Sequence, residues 1–171
     1  ILRLHIRIAT CHAQLGEQEL CATTFEDAYK IISTSTEVTR FNSELLIPII
    51  SGLCTIAVQH GSFDKESVAE QKELVIKFVE ESERHEDVCH VCRALAVEAD
   101  FHARLGQFDC ALRSTARLLN VYDVAIHSAA IRDDYGKDYA AKACANSTEW
   151  FMLVGDIQGA SARADFVITS L

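Results

Sequence analysis

The sequence predicts an all-α protein, arranged as an α-α superhelix (solenoid) of about four antiparallel helix pairs, eight helices in total. Three observations predict it. Apolar residues recur at the three-to-four spacing of a helix, as in Phe101, Leu105, Phe108, Leu112 and Leu119. Chain breakers are scarce: one Pro and seven Gly in 171 residues, which argues against turn-dense all-β, collagen-like and Pro-rich disordered classes. Four of those glycines, Gly16, Gly61, Gly106 and Gly155, stand 45, 45 and 49 residues apart, each between two apolar helical runs. A Gly just past a helix supplies the left-handed conformation that ends it.

The predicted helices cover 2–15, 17–34, 44–60, 64–84, 87–105, 108–130, 138–154 and 156–170. They make one domain over 1–171, in units of about 1–40, 41–85, 86–132 and 133–171. The first helix carries a stripe of Leu4, Ile8, Cys11 and Leu15. Residues Leu2 to Ile8 also alternate like an edge strand, but the repeat register favours a helix. Asn42 or Ser43 is expected to cap the third helix, leaving Pro48 near its first turn, where a missing N–H costs least. Arg132 to Lys137 reads as an inter-unit loop that absorbs the longer spacing. Seven residues before each Gly stand Ala9, Cys54, Ala99 and Thr148; five after stand Cys21, Glu66, Ala111 and Ala160. Small residues at matching places let helices approach closely, and unit two departs after its turn.

Composition excludes several functions. A net charge of -9 argues against a general nucleic-acid binder and against docking on an anionic membrane. No apolar run approaches the roughly 20 residues that span a bilayer, and no signal peptide is visible. The chain starts at Ile1 and reads as a segment of a longer protein. Its seven scattered cysteines fit reduced, mostly buried thiols in a cytoplasmic compartment.

Leu105-Gly106-Gln107-Phe108-Asp109-Cys110-Ala111-Leu112 resembles the turn of a tetratricopeptide repeat. Weaker copies run from Val154 to Ala160 and from Leu15 to Cys21. The period of 45 exceeds the family's 34, and the proline that usually closes each repeat is absent. The resemblance implies a right-handed superhelix with a protein-binding groove lined by the first helix of each pair. By offset from the Gly, the implied lining residues are Arg3, Ile6, Thr10 and Gln14; Ser51, Thr55 and Gln59; Arg93, Ala96, Asp100 and Arg104; and Lys142, Ala145, Glu149 and Leu153. Arg3, Arg93 and Lys142 share one offset, so a locally basic groove for an acidic peptide is one reading; scattered solvated charge is the other.

Two sets of residues carry potential chemistry. His85, Cys89 and Cys92 would share a helix face at spacings of four and three, a partial zinc set with no second cysteine pair. Glu98 lies four before His102, as a carboxylate–imidazole pair would. Packing cysteines and an interface histidine are the plainer readings. Asn146-Ser147-Thr148 fits a glycosylation triplet but lies within a predicted helix. The acidic run Glu80 to Asp87 reads as a solvated connection, or as a patch for a basic partner. No Gly-rich phosphate loop occurs, and no cofactor or metal is expected. The expected function is a non-catalytic interaction or scaffold module of a larger regulatory protein, partnered by a protein, a peptide or further repeats of its own chain. A helical-bundle enzyme or metal protein using the two sets above, and a structural spacer or self-association unit, are the alternatives.

Overall fold

A computed structural model describes residues 1–34, 40–85, 87–135 and 138–170. Among these residues the chain is all-α, with nine helices and no strand: α1 (Leu2–Leu15), α2 (Gln18–Thr34), α3 (Arg40–His60), α4 (Lys65–Arg84), α5 (Val88–Arg104), α6 (Phe108–Val121), α7 (Val124–Tyr135), α8 (Tyr139–Leu153) and α9 (Ile157–Ser170). Residues Leu2 to Ile8 are helical, not an edge strand. No described helix is long and apolar enough to cross a membrane.

Three of the four glycine turns share one geometry. Gly16, Gly106 and Gly155 have φ of 77°, 70° and 82°. Their N–H groups bond Ala13, Ala103 and Met152, and the next residues' N–H groups bond His12, His102 and Phe151. These paired bonds satisfy carbonyls that a helix end would leave orphaned. Gly61 is the exception. Its N–H still bonds the Ala57 carbonyl, as in a continuing helix, and no positive φ is needed. The Ala57 carbonyl and the Gln71 amide occupy the place a Cβ would take. Asp64 then caps α4 through the N–H groups of Glu66 and Ser67, and Gln71 donates to the Ser62 carbonyl. Unit two therefore turns by a side-chain cap.

The glycines separate two kinds of cost. A Cβ on Gly106 would meet nothing within 4 Å, so Gly106→Ala should cost about 1–2 kcal/mol through backbone strain alone. A Cβ on Gly52, within α3, would strike the Phe25 ring, so Gly52→Ala should cost about 1–3 kcal/mol through overpacking. Urea denaturation of both variants tests this, and Gly52→Ala/Phe25→Leu should recover part of the loss while no side-chain change should rescue Gly106→Ala.

The chain divides into two compact units, Ile1–Glu81 and Ser82–Leu171. In the first, α1 packs along α2 across the Gly16 turn, and both pack on α3. Ala9 and Cys21, paired by the repeat register, are buried at this contact with Phe25, Ala28, Ile32, Leu45 and Ile49. Lys77 of α4 donates to the Tyr29 hydroxyl of α2 at 2.6 Å. In the second unit α5 packs along α6, α8 packs on both, and α9 packs along α8. Ala99 and Ala111, the equivalents of Ala9 and Cys21, are buried beneath Trp150 of α8.

Three local expectations are corrected. The helix expected over 108–130 is two helices, α6 and α7. Tyr122 is extended (φ -87°, ψ 121°), and the Asp123 carboxylate caps α7 by accepting from the Ala125 N–H at 2.9 Å. The expected 132–137 loop is helical through Tyr135; its last two residues lie outside the described residues. Helix α3 begins at Arg40, so neither Asn42 nor Ser43 stands at its cap position, and Pro48 lies inside it. The Pro ring removes the bond to the carbonyl of Glu44, an exposed residue whose carbonyl water can serve.

Candidate interaction surfaces

The residues carried over by offset fall into different environments. Arg3, Gln14, Gln59, Arg104 and Glu149 are exposed. Arg93 is not: it is 5% exposed on α5, with its guanidinium carbon 3.3 Å from the centre of the Tyr139 ring on α8. Stacking on an aromatic face compensates the burial of its charge. Lys142 is exposed but sits 3.4 Å from Asp100, which also faces the Asn146 amide at 3.5 Å. Ser51 and Ala96 are buried. The basic groove expected from the shared offset of Arg3, Arg93 and Lys142 is thus corrected in the second unit. One of its cations is packed between helices and another faces a carboxylate.

Neither set with potential chemistry assembles as expected. Helix α4 ends at Arg84, and Asp87 caps α5 by accepting from the N–H groups of Cys89 and His90 at 2.8 and 3.3 Å. His85 therefore lies on neither helix, and the expected common face with Cys89 and Cys92 does not form. Among the described residues no group of three His, Cys, Asp or Glu side chains is placed to hold a metal ion. His102 Nδ1 lies 2.9 Å from Gln107 Oε1, and His12 Nδ1 lies 2.6 Å from Glu17 Oε2. Both imidazoles tie the end of a helix to the residue after its turn glycine. Glu98 instead accepts from Arg117 at 3.1 Å, and Arg117 also donates to Glu83 at 2.8 Å. The acidic run is helical to Arg84 and mostly exposed; within it Glu83 accepts from Arg117 and Asp87 supplies the α5 cap.

The thiols span a range of exposure, with Cys89 and Cys110 intermediate. No disulfide joins the described cysteines. Cys21, Cys54, Cys92 and Cys144 are buried, whereas Cys11 is exposed. Burial pushes the Cys92 thiol up to about 12, and the nearby Cys89, Asp138, Cys144 and Asp87 act in the same direction. Burial likewise raises Cys144 to about 11, against the opposing charge of Arg163. Thiolate is the reactive form. Iodoacetamide near neutral pH should therefore label Cys11 first and reach Cys92 and Cys144 only on unfolding, with labelling read by peptide mass.

The sequence shows apolar stripes on the first and last helices, which further repeats or flanking domains would cover, but not which side of α1 its stripe faces. The stripe that marks α1 as a helix is its solvent face. Leu4, Ile8 and Leu15 are 60%, 40% and 72% exposed, with Cys11 exposed between them. The core side of α1 is carried by Ala9, helped by Leu2 and Ile6. A second apolar surface lies at the α8–α9 corner, where Met152, Leu153, Val154 and Ile157 are all exposed. The signal available was the smallness of Ala9 at the helix-contact position, which assigns the core to the opposite face from the stripe.

No protein-family model, curated protein or solved structure matches the chain at a significant level.

Proposed function

We propose that this chain is a non-catalytic protein-interaction or scaffold module, a tetratricopeptide-like stack of helix pairs working in the cytoplasm. One observation carries the reading: large apolar side chains are grouped on the solvent side of α1 and at the α8–α9 corner. Scattered exposed apolar residues need no explanation, but grouped ones are a liability unless a partner covers them. The three like-built glycine turns support the repeat architecture, although the turn at Gly61 follows another rule. The non-catalytic part is supported by what the polar candidates already do. Glu98 serves Arg117, His102 serves Gln107, and Cys92 is sealed in the core.

Selection from a displayed library of helical peptides tests the module. Peptides should be enriched on the wild-type chain and lost on Leu4→Ser/Ile8→Ser, on Leu153→Ser/Ile157→Ser, or on both. Enrichment that ignores both variants, or none at all, contradicts the reading. Light scattering across concentration accompanies it: a dimer abolished by the same substitutions would assign these faces to self-association instead.

A further inference from the structure

Building on that interaction reading, we infer that the exposed face of α1 receives an acidic amphipathic helix of a partner protein, apolar side chains seated on Leu4, Ile8 and Leu15 and carboxylates over Arg3 and Arg7. The charge pattern carries the inference. The chain is acidic, at -9, yet α1 contains no Asp or Glu. At 3.6 residues per turn, positions 4, 8, 11 and 15 form one stripe and positions 3 and 7 its immediate border. Arg3 and Arg7 are both exposed along that border. The other border carries His5 and His12, the latter held by Glu17.

An exposed apolar stripe one residue wide, with anchors a turn apart, matches the i, i+3, i+4, i+7 anchors of another helix. A cationic border selects for carboxylates beside those anchors. The polarity of the face also fixes a direction. Glu17 and Glu19 stand past the far end of the stripe, where they would repel an acidic partner, so the partner's carboxylates belong over the first two turns of α1. The same two carboxylates, just past the end of the stripe, also disfavour a flat anionic membrane.

Two stapled helical peptides test the inference. Both carry leucines at helical spacing; one has glutamates beside them at one end, the other lysines in their place. Fluorescence anisotropy should show the glutamate peptide binding at least about tenfold more tightly than the lysine peptide, with the preference shrinking in high salt. Arg3→Glu/Arg7→Glu should invert the preference, and Leu4→Ser/Ile8→Ser should abolish binding of both. All four positions are exposed, so circular dichroism should show wild-type helicity in each variant. Equal binding of the two peptides, binding of neither, or a glutamate preference untouched by Arg3→Glu/Arg7→Glu overturns the inference. So does stable binding to vesicles of three parts phosphatidylcholine to one part phosphatidylserine that Arg3→Glu/Arg7→Glu releases. A lysine preference overturns the acidic partner alone and leaves the interaction module standing; that reading fails on its own tests, beginning with the library selection.

Discussion

Trp150→Ala should cost about 3–5 kcal/mol, the largest loss expected from a single truncation in the second unit. Trp150 is 6% exposed on α8 and is buried against Ala99 of α5 and Ala111 of α6, with Ala103, Phe108 and Leu112 packed around them. The two alanines are the reason the indole fits. They let α5 and α6 approach closely, and they leave room for one large side chain from the next pair. Removing that side chain leaves a cavity whose floor is the two alanines, which cannot fill it, so the loss is only partly recovered by relaxation of Phe108 and Leu112. Urea denaturation followed by circular dichroism reads the change. A loss below about 1 kcal/mol would show that α8 does not depend on this contact.

Asp138 is the second large effect. One of its oxygens, Oδ2, accepts from the Tyr122 and Ser128 hydroxyls, each at 2.6 Å, while Oδ1 accepts from the Ala141 N–H at 2.9 Å. A single carboxylate therefore joins the end of α6, the middle of α7 and the start of α8. Asp138→Ala should cost about 2–4 kcal/mol, since it removes a cap and strands two hydroxyls. Asp138→Asn keeps a good capping group but gives its amide nitrogen no way to accept from the hydroxyls, so it should cost less, about 1–3 kcal/mol. The pH dependence follows. Burial opposes ionisation of Asp138, but the bonds from Ala141, Ser128 and Tyr122 outweigh it and hold the carboxyl below its ordinary value. A carboxyl lowered by folding gives stability that is complete above its unfolded value, near 3.9, and is lost as pH falls through the folded one. Wild type and Asp138→Asn should thus differ most near neutral pH and converge in strong acid. A difference that stays constant down to about pH 2 would show that the ionised carboxylate is not what holds the knot.

The parts of the fold legible in the sequence are those written in local chemistry. Gly16, Gly106 and Gly155 mark helix ends because only a residue without a Cβ turns there without strain. Ala9 with Cys21, and Ala99 with Ala111, mark the helix contacts because small side chains recur at a fixed distance from those glycines. The break at Tyr122 was hidden because the apolar periodicity of α6 runs on into α7. Its only local sign is Asp123, a capping residue ahead of a new helical run. The candidate surface was less legible. Periodicity shows that α1 has an apolar stripe, but which face is covered depends on a neighbour that presents itself to Ala9. Arg93 shows the converse: its charge predicts solvent, yet it is buried with its guanidinium stacked on the Tyr139 ring from another helix.

The most direct test of the interaction account is the hydrogen-exchange footprint of a selected helical peptide at saturation. Slowed exchange is expected over residues 2–15 or across the α8–α9 corner at 152–157, with the rest of the chain unchanged. Protection confined to other helices, or no protection on binding, would contradict it.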